Sequence, residues 1–277
     1  MLRILSFGAG VQSTCILRMS LDGELPALDH VIFADPGAEL PGTYENVDML
    51  EAICTQRGIG FHRVITHRSR SAGDIWTDLL GTDDSMRWSS PPFYVRQLDG
   101  GIGMIRRQCT SDYKTDAIDR KFRELCGLAP GSRGPKEEIA EQWLGIHAGE
   151  KARMKCSTKR WYRVLHPLIE LVNMTNGDCV AWLVNRGYPV PPKSACAFCP
   201  YQSDRRWLDL SMHHPEIFAQ CVDLDEHIRG AAATAFKGEV YLHRSAQPLA
   251  EVIVDLERQG ALDLDSFSDE CSGVCGV

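Results

Sequence analysis

The sequence predicts an α/β protein: a doubly wound parallel sheet followed by a helical C-terminal region that carries cysteines. Two observations predict the sheet. Short apolar runs at 2–7, 30–34 and 60–66 alternate with helical patterns, and such alternation builds parallel sheets with crossover helices. The first run passes directly into Ser6-Phe7-Gly8-Ala9-Gly10-Val11-Gln12-Ser13-Thr14, a glycine-bearing turn that opens a helix. A third observation, Cys196-Ala197-Phe198-Cys199-Pro200, marks the C-terminal region. The chain of 277 residues divides by this reading into 1–170, the α/β domain, and 171–277, a helical region whose tail packs back on the core.

Each element has a local reason. Leu2 to Phe7 has a buried-strand composition, and His30 to Ala34 reads as a second buried strand that Asp35-Pro36-Gly37 ends. Tyr44 to Arg57 reads as a helix, with Val47, Leu50, Glu51, Ile53 and Cys54 at roughly helical spacing and Gly58 as its stop. Gly60 to Thr66 reads as the third strand, and Gln142 to His147 as another. Residues 81–103 are rich in Gly, Ser, Pro and Asp and read as a long functional loop or lid. Residues 127–138 read as a connection. Thr175 and Asp178 have capping-box spacing at the start of a helix that Gly187 stops. Pro189, Pro191 and Pro192 then hold an extended approach to the cysteine pair.

Composition excludes several classes. At 44% apolar and 24% charged the chain has an ordinary globular balance. No apolar run reaches the length of a membrane span. A single Arg, Arg3, is followed directly by strand and glycine turn, which does not fit a cleaved signal peptide and favours a cytoplasmic protein. The net charge of −7 argues against broad nonspecific binding to nucleic acid. Arginines at 63, 68 and 70, and at 87, 96, 106 and 107, leave room for a local basic face, although each read singly is a solvated loop residue.

In open parallel sheets ligands sit beyond the C-terminal ends of the strands. The glycine turn and Asp35 both fall there. The turn reads as a phosphate cradle, because unpaired helix amides and the helix dipole attract anions. Ser6, Gly8, Gly10, Gln12, Ser13 and Thr14 are its candidate contacts. The segment lacks the Gly-Lys-Ser/Thr of a Walker loop and the full Gly-x-Gly-x-x-Gly pattern. An ordinary strand-to-helix turn is the plainer alternative.

The chain has 11 cysteines. In a reducing compartment, clustered cysteines point to metal ligation or redox chemistry. Cys196 and Cys199 can bind one metal centre from a single turn. Such a pair needs further ligands, for which Cys109, Cys271 and Cys275 are candidates, and a redox dithiol is an equal reading. Cys15, Cys54, Cys126, Cys179 and Cys221 lie in helical apolar patterns and read as small buried hydrophobes. Cys109-Thr110-Ser111-Asp112-Tyr113-Lys114 opens a predicted helix, where a phosphate or sulfate group near Lys114 is plausible.

Five segments in order resemble a known superfamily. Ser6 to Thr14 resembles the PP-loop of the adenine nucleotide α-hydrolases, in their phosphoadenylyl-sulfate (PAPS) reductase-like branch. Asp35 to Tyr44, Cys109 to Lys114, Cys196 to Cys199 with Arg206-Trp207, and Glu270-Cys271 resemble later motifs of that branch. Gly145-Ile146-His147-Ala148-Gly149-Glu150-Lys151-Ala152-Arg153 resembles a further family segment, which brings Glu150 and Arg153 toward the substrate; a surface salt bridge is the alternative.

The resemblance implies one of two chemistries. In the first, the enzyme cleaves ATP between the α and β phosphates and inserts sulfur into nucleic acid, as in DNA phosphorothioation or tRNA thiolation. It would use Mg²⁺ and a 4Fe-4S cluster on Cys109, Cys196, Cys199 and either Cys275 or Cys271, with Lys114 stabilising the reacting phosphorus and Asp35 as a metal or ribose contact. A cysteine desulfurase would supply sulfur, and partner subunits or a homo-oligomer would help grip the acceptor. In the second, the protein reduces adenylylsulfate or PAPS to sulfite, with Cys271 as the catalytic thiol. Two departures bear on the choice. Gln12 stands where PP-loop pyrophosphatases carry Asp, and Thr110 stands where cluster-bearing reductases carry a second cysteine. A zinc-stapled nucleotide-binding module without chemistry is a third reading.

Overall fold

The computed structural model describes residues 1–66, 73–81, 91–232 and 238–258. In chain order the strands are β1 (Leu2–Phe7), β2 (His30–Ala34), β3 (Gly60–Val64), β4 (Tyr94–Gln97), β5 (Ile102–Met104), β6 (Ala140–Leu144), β7 (Tyr162–Leu165) and β8 (Gly238–Tyr241). The α-helices are α1 (Val11–Leu21), α2 (Pro41–Gln56), α3 (Ile75–Leu80), α4 (Asp116–Leu125), α5 (Pro167–Glu170), α6 (Asn176–Asn185), α7 (Asp204–His213), α8 (Pro215–Ala232) and α9 (Leu249–Arg258).

The main sheet is parallel throughout, in the order β3-β2-β1-β6-β7. Helices cover both faces, so the central strands are apolar on both sides. Alternate residues of β1 and β2 show this. Leu5, Phe7, Val31 and Phe33 pack with Cys15 and Ile16 of α1 and Val47, Leu50 and Cys54 of α2. Ile4 and Ile32 pack on the other face with Ile118 and Phe122 of α4 and with Trp161. From β1 the order runs outward to β2 and β3 on one side and to β6 and β7 on the other. That reversal opens a crevice at the C-terminal ends of β1 and β6, the place where such sheets bind ligands.

The region expected to be a loop or lid contains two strands. β4 and β5 pair antiparallel, and β4 also pairs with β8. Gly100, at φ 84°, turns the β4–β5 hairpin. Phe93, one residue before β4, is buried at 1% exposure in the second core. The glycines of this segment therefore mark a hairpin turn and not a lid. Residues 82–90 of the expected loop lie outside the described residues.

That second core joins α3, α7, α8, β8 and α9 with Ala38, Phe93 and Tyr113. Asp225 of α8 anchors it. Its side chain is wholly buried and accepts the amides of Leu242 at 2.8 Å and Leu249 at 3.0 Å, and it pairs with Arg229. A buried carboxylate survives only when paired and hydrogen-bonded in this way.

Burial holds the His243 imidazole below its ordinary value of 6.5, against the opposing pull of Asp204 at 3.0 Å. His30 and His62 are lowered in the same direction by burial. As pH falls below 6.5, the unfolded chain takes up protons that these native histidines refuse, so stability declines toward acid. Urea unfolding across this range is expected to show that decline. The variant His243→Gln is expected to flatten it, and an unchanged slope would contradict the assignment.

Candidate functional site

β1 must turn into α1 at the crevice within a few residues. The turn is made by Ala9 in the left-handed region, at φ 58°, and Gly10 in an extended conformation as the residue before the helix. An L-residue occupies the left-handed region only when its surroundings enforce it. Here they do: Ala9 is fully buried, and Asn46 of α2 donates to its carbonyl at 3.3 Å and to Thr14 Oγ1 at 3.2 Å. No side chain caps α1, and no acidic residue stands in its first turn. The first amides of α1, with the positive end of its dipole, therefore suit an anion.

The loop hydroxyls mostly hold the loop. Ser13 Oγ donates to the Gly10 carbonyl at 3.3 Å, and Ser6 Oγ accepts from Gln142 of β6 at 2.9 Å. Gln12 donates to Asn176 at 3.0 Å, tying the loop to the start of α6. The chain leaving β6 approaches closely at Gly145, where an added Cβ would lie 3.0 Å from Ser13 N. Gly8 lies in the same loop, between β1 and Ala9.

Asp35 follows β2 at the same edge. Its Oδ1 accepts from Gly37 N and from the Tyr44 hydroxyl, both at 2.8 Å. Burial first, and then the bond to Asp35, push the Tyr44 phenol well above its ordinary range, so it remains a donor. Gly37 (φ 74°) packs against Asp74, where a Cβ would meet Asp74 Cβ at 2.3 Å. α2 thus serves two ends of the site: Tyr44 fixes Asp35, and Asn46 fixes the β1–α1 turn.

Cys109 to Lys114 opens a helix as expected, but Thr110–Thr115 is a π-helical turn that continues into α4. π-turns are rare and concentrate at functional sites. Lys114 Nζ lies 3.0 Å from Glu39 Oε1. The backbone of Glu39 forms an antiparallel bridge with Cys196, and Ala197 N donates to Ala38 O at 2.7 Å. Asp35, Lys114 and the cysteine turn therefore belong to one connected region.

Within that turn Cys199 N donates to Cys196 O at 3.0 Å. Cys109 and Cys196 pack against the same core. Among the described residues, no three His, Cys, Asp or Glu side chains assemble as metal ligands. The described residues therefore do not complete a site for an iron–sulfur cluster or a structural zinc. Cys271 and Cys275, expected as the catalytic thiol and a further ligand, lie outside the described residues. Of the cysteines read as buried hydrophobes, Cys15, Cys54, Cys179 and Cys221 are buried, whereas Cys126 is half-buried. Burial raises the thiols of Cys54 and Cys126 to about 11. Cys179 is raised further by its hydrogen bond to Cys15 and by burial, and Cys221 by burial.

Glu150 and Arg153 sit on the 3-10 segment Ala148–Arg153 after β6. They pair with each other at 2.6 Å, and His147 lies 3.5 Å from Glu150. Ala148 N donates to Met174 O at 2.8 Å, beside the start of α6. The segment thus borders the same edge as Gln12, but its charges satisfy each other. Sequence reasoning missed Asn46, Glu39 and Ser194. Asn46 had a signal, since it shares the buried face of α2 with Val47, Leu50 and Cys54. Arg63, one of the arginines considered for a basic face, pairs with Asp48 and Glu51.

No protein-family model and no curated protein matches the chain. Among solved structures the chain is similar to a phosphoadenylyl-sulfate (PAPS) reductase from Candida auris, solved as a phosphate complex. The two share 15% identity over 69% of this chain and 74% of that one, with a TM-score of 0.40.

Replacing Asn46 by Ala removes both bonds that hold the β1–α1 turn and leaves the buried Ala9 carbonyl without that partner. The expected cost is about 1–3 kcal/mol in urea unfolding. Unchanged stability would show that Asn46 does not hold the turn.

Proposed function

We propose that this chain is a nucleotide-dependent enzyme that cleaves ATP between its α and β phosphates and installs sulfur on a nucleic-acid acceptor. The observation that carries the reading is the uncapped start of α1, held open by Ala9 and Asn46 at the crevice between β1 and β6. A phosphate chain is the ligand such a start accommodates. Lys114, Asp35 and the Cys196–Cys199 turn adjoin one another at the same end of the sheet. The motif resemblance supports the specific chemistry.

In this reading the α1 amides hold the leaving pyrophosphate. An oxygen of the acceptor attacks the α phosphorus, the α–β bridging bond breaks, and the acceptor becomes adenylated. Lys114 donates to phosphate oxygens as charge develops. When bound, Mg²⁺ would screen the phosphate charges. Asp35 is the nearby carboxylate suited to hold it, with Oδ1 oriented by Tyr44 and Gly37. The persulfide of a donor such as a cysteine desulfurase then attacks the adenylated centre as AMP leaves, and a second thiol of the donor attacks the resulting S–S bond, leaving sulfur on the acceptor and a disulfide on the donor. The described residues do not complete a cluster site, and no step is assigned to one.

One observation favours a second reading, reduction of adenylylsulfate or PAPS. The first turn of α1 carries no carboxylate for a metal, and Gln12 is engaged with Asn176. Thiol attack on the sulfur of a phosphosulfate breaks an S–O bond and releases no pyrophosphate, so it needs no metal at that position. Among the described residues no helix is long and apolar enough to cross a membrane, so neither reading invokes one.

Product analysis separates the readings. Anaerobically purified protein given ATP and Mg²⁺, with nucleic acid and a cysteine desulfurase, is expected to yield AMP and pyrophosphate. Sulfite from PAPS, without ATP cleavage, would select the reductase reading. ADP and phosphate as products would contradict both. Neither turnover, with one bound zinc per chain, would favour a binding module.

A further inference from the structure

We propose that Glu39 is the positioning residue for the Lys114 ammonium, and that it fixes where Lys114 donates within the site. The part concerning phosphate rests on the nucleotide reading above.

The Glu39 side chain has no exposed surface, and that of Lys114 is 13% exposed. The two carboxylate oxygens are each directed. Oε1 accepts from Lys114 Nζ at 3.0 Å, and Oε2 accepts from Ser194 Oγ at 3.0 Å. The backbone of Glu39 is equally constrained. It bridges Cys196, and its amide donates to the Tyr44 hydroxyl at 3.4 Å, which itself donates to Asp35. Glu39 is thus oriented by the β2–α2 segment and by the segment leading into the cysteine turn before it meets Lys114.

Lysine is a point charge on a flexible stem. Without a fixed acceptor such an ammonium samples many positions. The buried carboxylate selects one position. It also neutralises the charge at long range, so Lys114 acts as a short-range donor at a set place and not as a general attractant for anions. Donors placed before the reaction are the ones that stabilise developing charge. Because Glu39 meets Lys114 and Ser194 through its carboxylate and Cys196 through its backbone, it also fixes the distance between the lysine and the cysteine turn.

Two readouts on the full chain test this. The first requires no activity. Reductive methylation of lysines, mapped by mass spectrometry, is expected to show Lys114 protected relative to exposed Lys155, with protection lost in Glu39→Ala and kept in Glu39→Gln. Equal labelling of Lys114 in wild type and Glu39→Ala overturns the proposal. The second is AMP release from ATP, normalised to folded protein. Glu39→Ala and Lys114→Met are each expected to lower kcat roughly 100-fold with little change in KM for ATP. Glu39→Gln restores most of the rate. Adding Glu39→Ala to Lys114→Met causes no further loss, as two residues acting through one group require. Losses that multiply, or a lowered melting temperature with unchanged kcat, overturn it. Should Glu39→Ala fail to fold, the neutral pair Glu39→Leu with Lys114→Met takes its place, and an activity below Lys114→Met alone overturns the proposal. If wild type releases no AMP, the nucleotide reading fails, while the labelling result still decides whether Glu39 holds Lys114.

Discussion

The turn between β1 and α1 is the constraint on which the site depends. The chain must leave a fully buried strand and enter a helix at the one place where the sheet order reverses. Ala9 does so at φ 58° with no exposed surface, a conformation that alanine does not choose. The cost is met from α2, whose Asn46 takes the Ala9 carbonyl and the Thr14 hydroxyl. The result is a helix whose first amides have no side-chain cap. Because the same helix orients Asp35 through Tyr44, the packing of α2 on the sheet sets both the anion side and the carboxylate side of the crevice.

A second constraint is electrostatic. Glu39 is a carboxylate with no exposed side-chain surface, and such a group persists only beside a cation and other donors. Lys114 and Ser194 supply them. Three segments far apart in sequence therefore meet at one charge: the β2–α2 connection, the π-turn before α4, and the approach to Cys196. The C-terminal helices consequently do not form a separate appendage at this point. Their core includes Ala38 and Tyr113 from the first half of the chain.

Much of the sheet was legible because local pattern carries it. The apolar runs at 2–7 and 30–34 are strands, that at 60–66 is a strand over 60–64, and β6 lies two to three residues before its expected place. The capping box at Thr175 and Asp178 is present in full. α2 begins three residues earlier than its apolar spacing suggests, because Pro41 is favoured in a first helical turn. β4 and β5 were not legible. Their hairpin glycines resemble a loop, and β4's other partner, β8, lies some 140 residues away, where no local pattern reaches. Glu39 was hidden for a related reason. A carboxylate after Asp35-Pro36-Gly37-Ala38 reads as exposed, and only the tertiary approach of Lys114 and Ser194 buries it. Ser6 lies in β1 and Thr14 in α1, flanking the turn, and their bonds to Gln142 and Asn46 depend on neighbouring elements.

The central claim is that the uncapped start of α1 holds the phosphates of an adenine nucleotide. A structure of the protein with α,β-methylene-ATP, which cannot be cleaved at the scissile position, tests it most directly. The account predicts phosphate oxygens within hydrogen-bonding distance of the first amides of α1, with Lys114 still paired to Glu39 beside them. Phosphates bound away from the β1–α1 turn, or a turn that rebuilds so that Ala9 leaves the left-handed region, would contradict it.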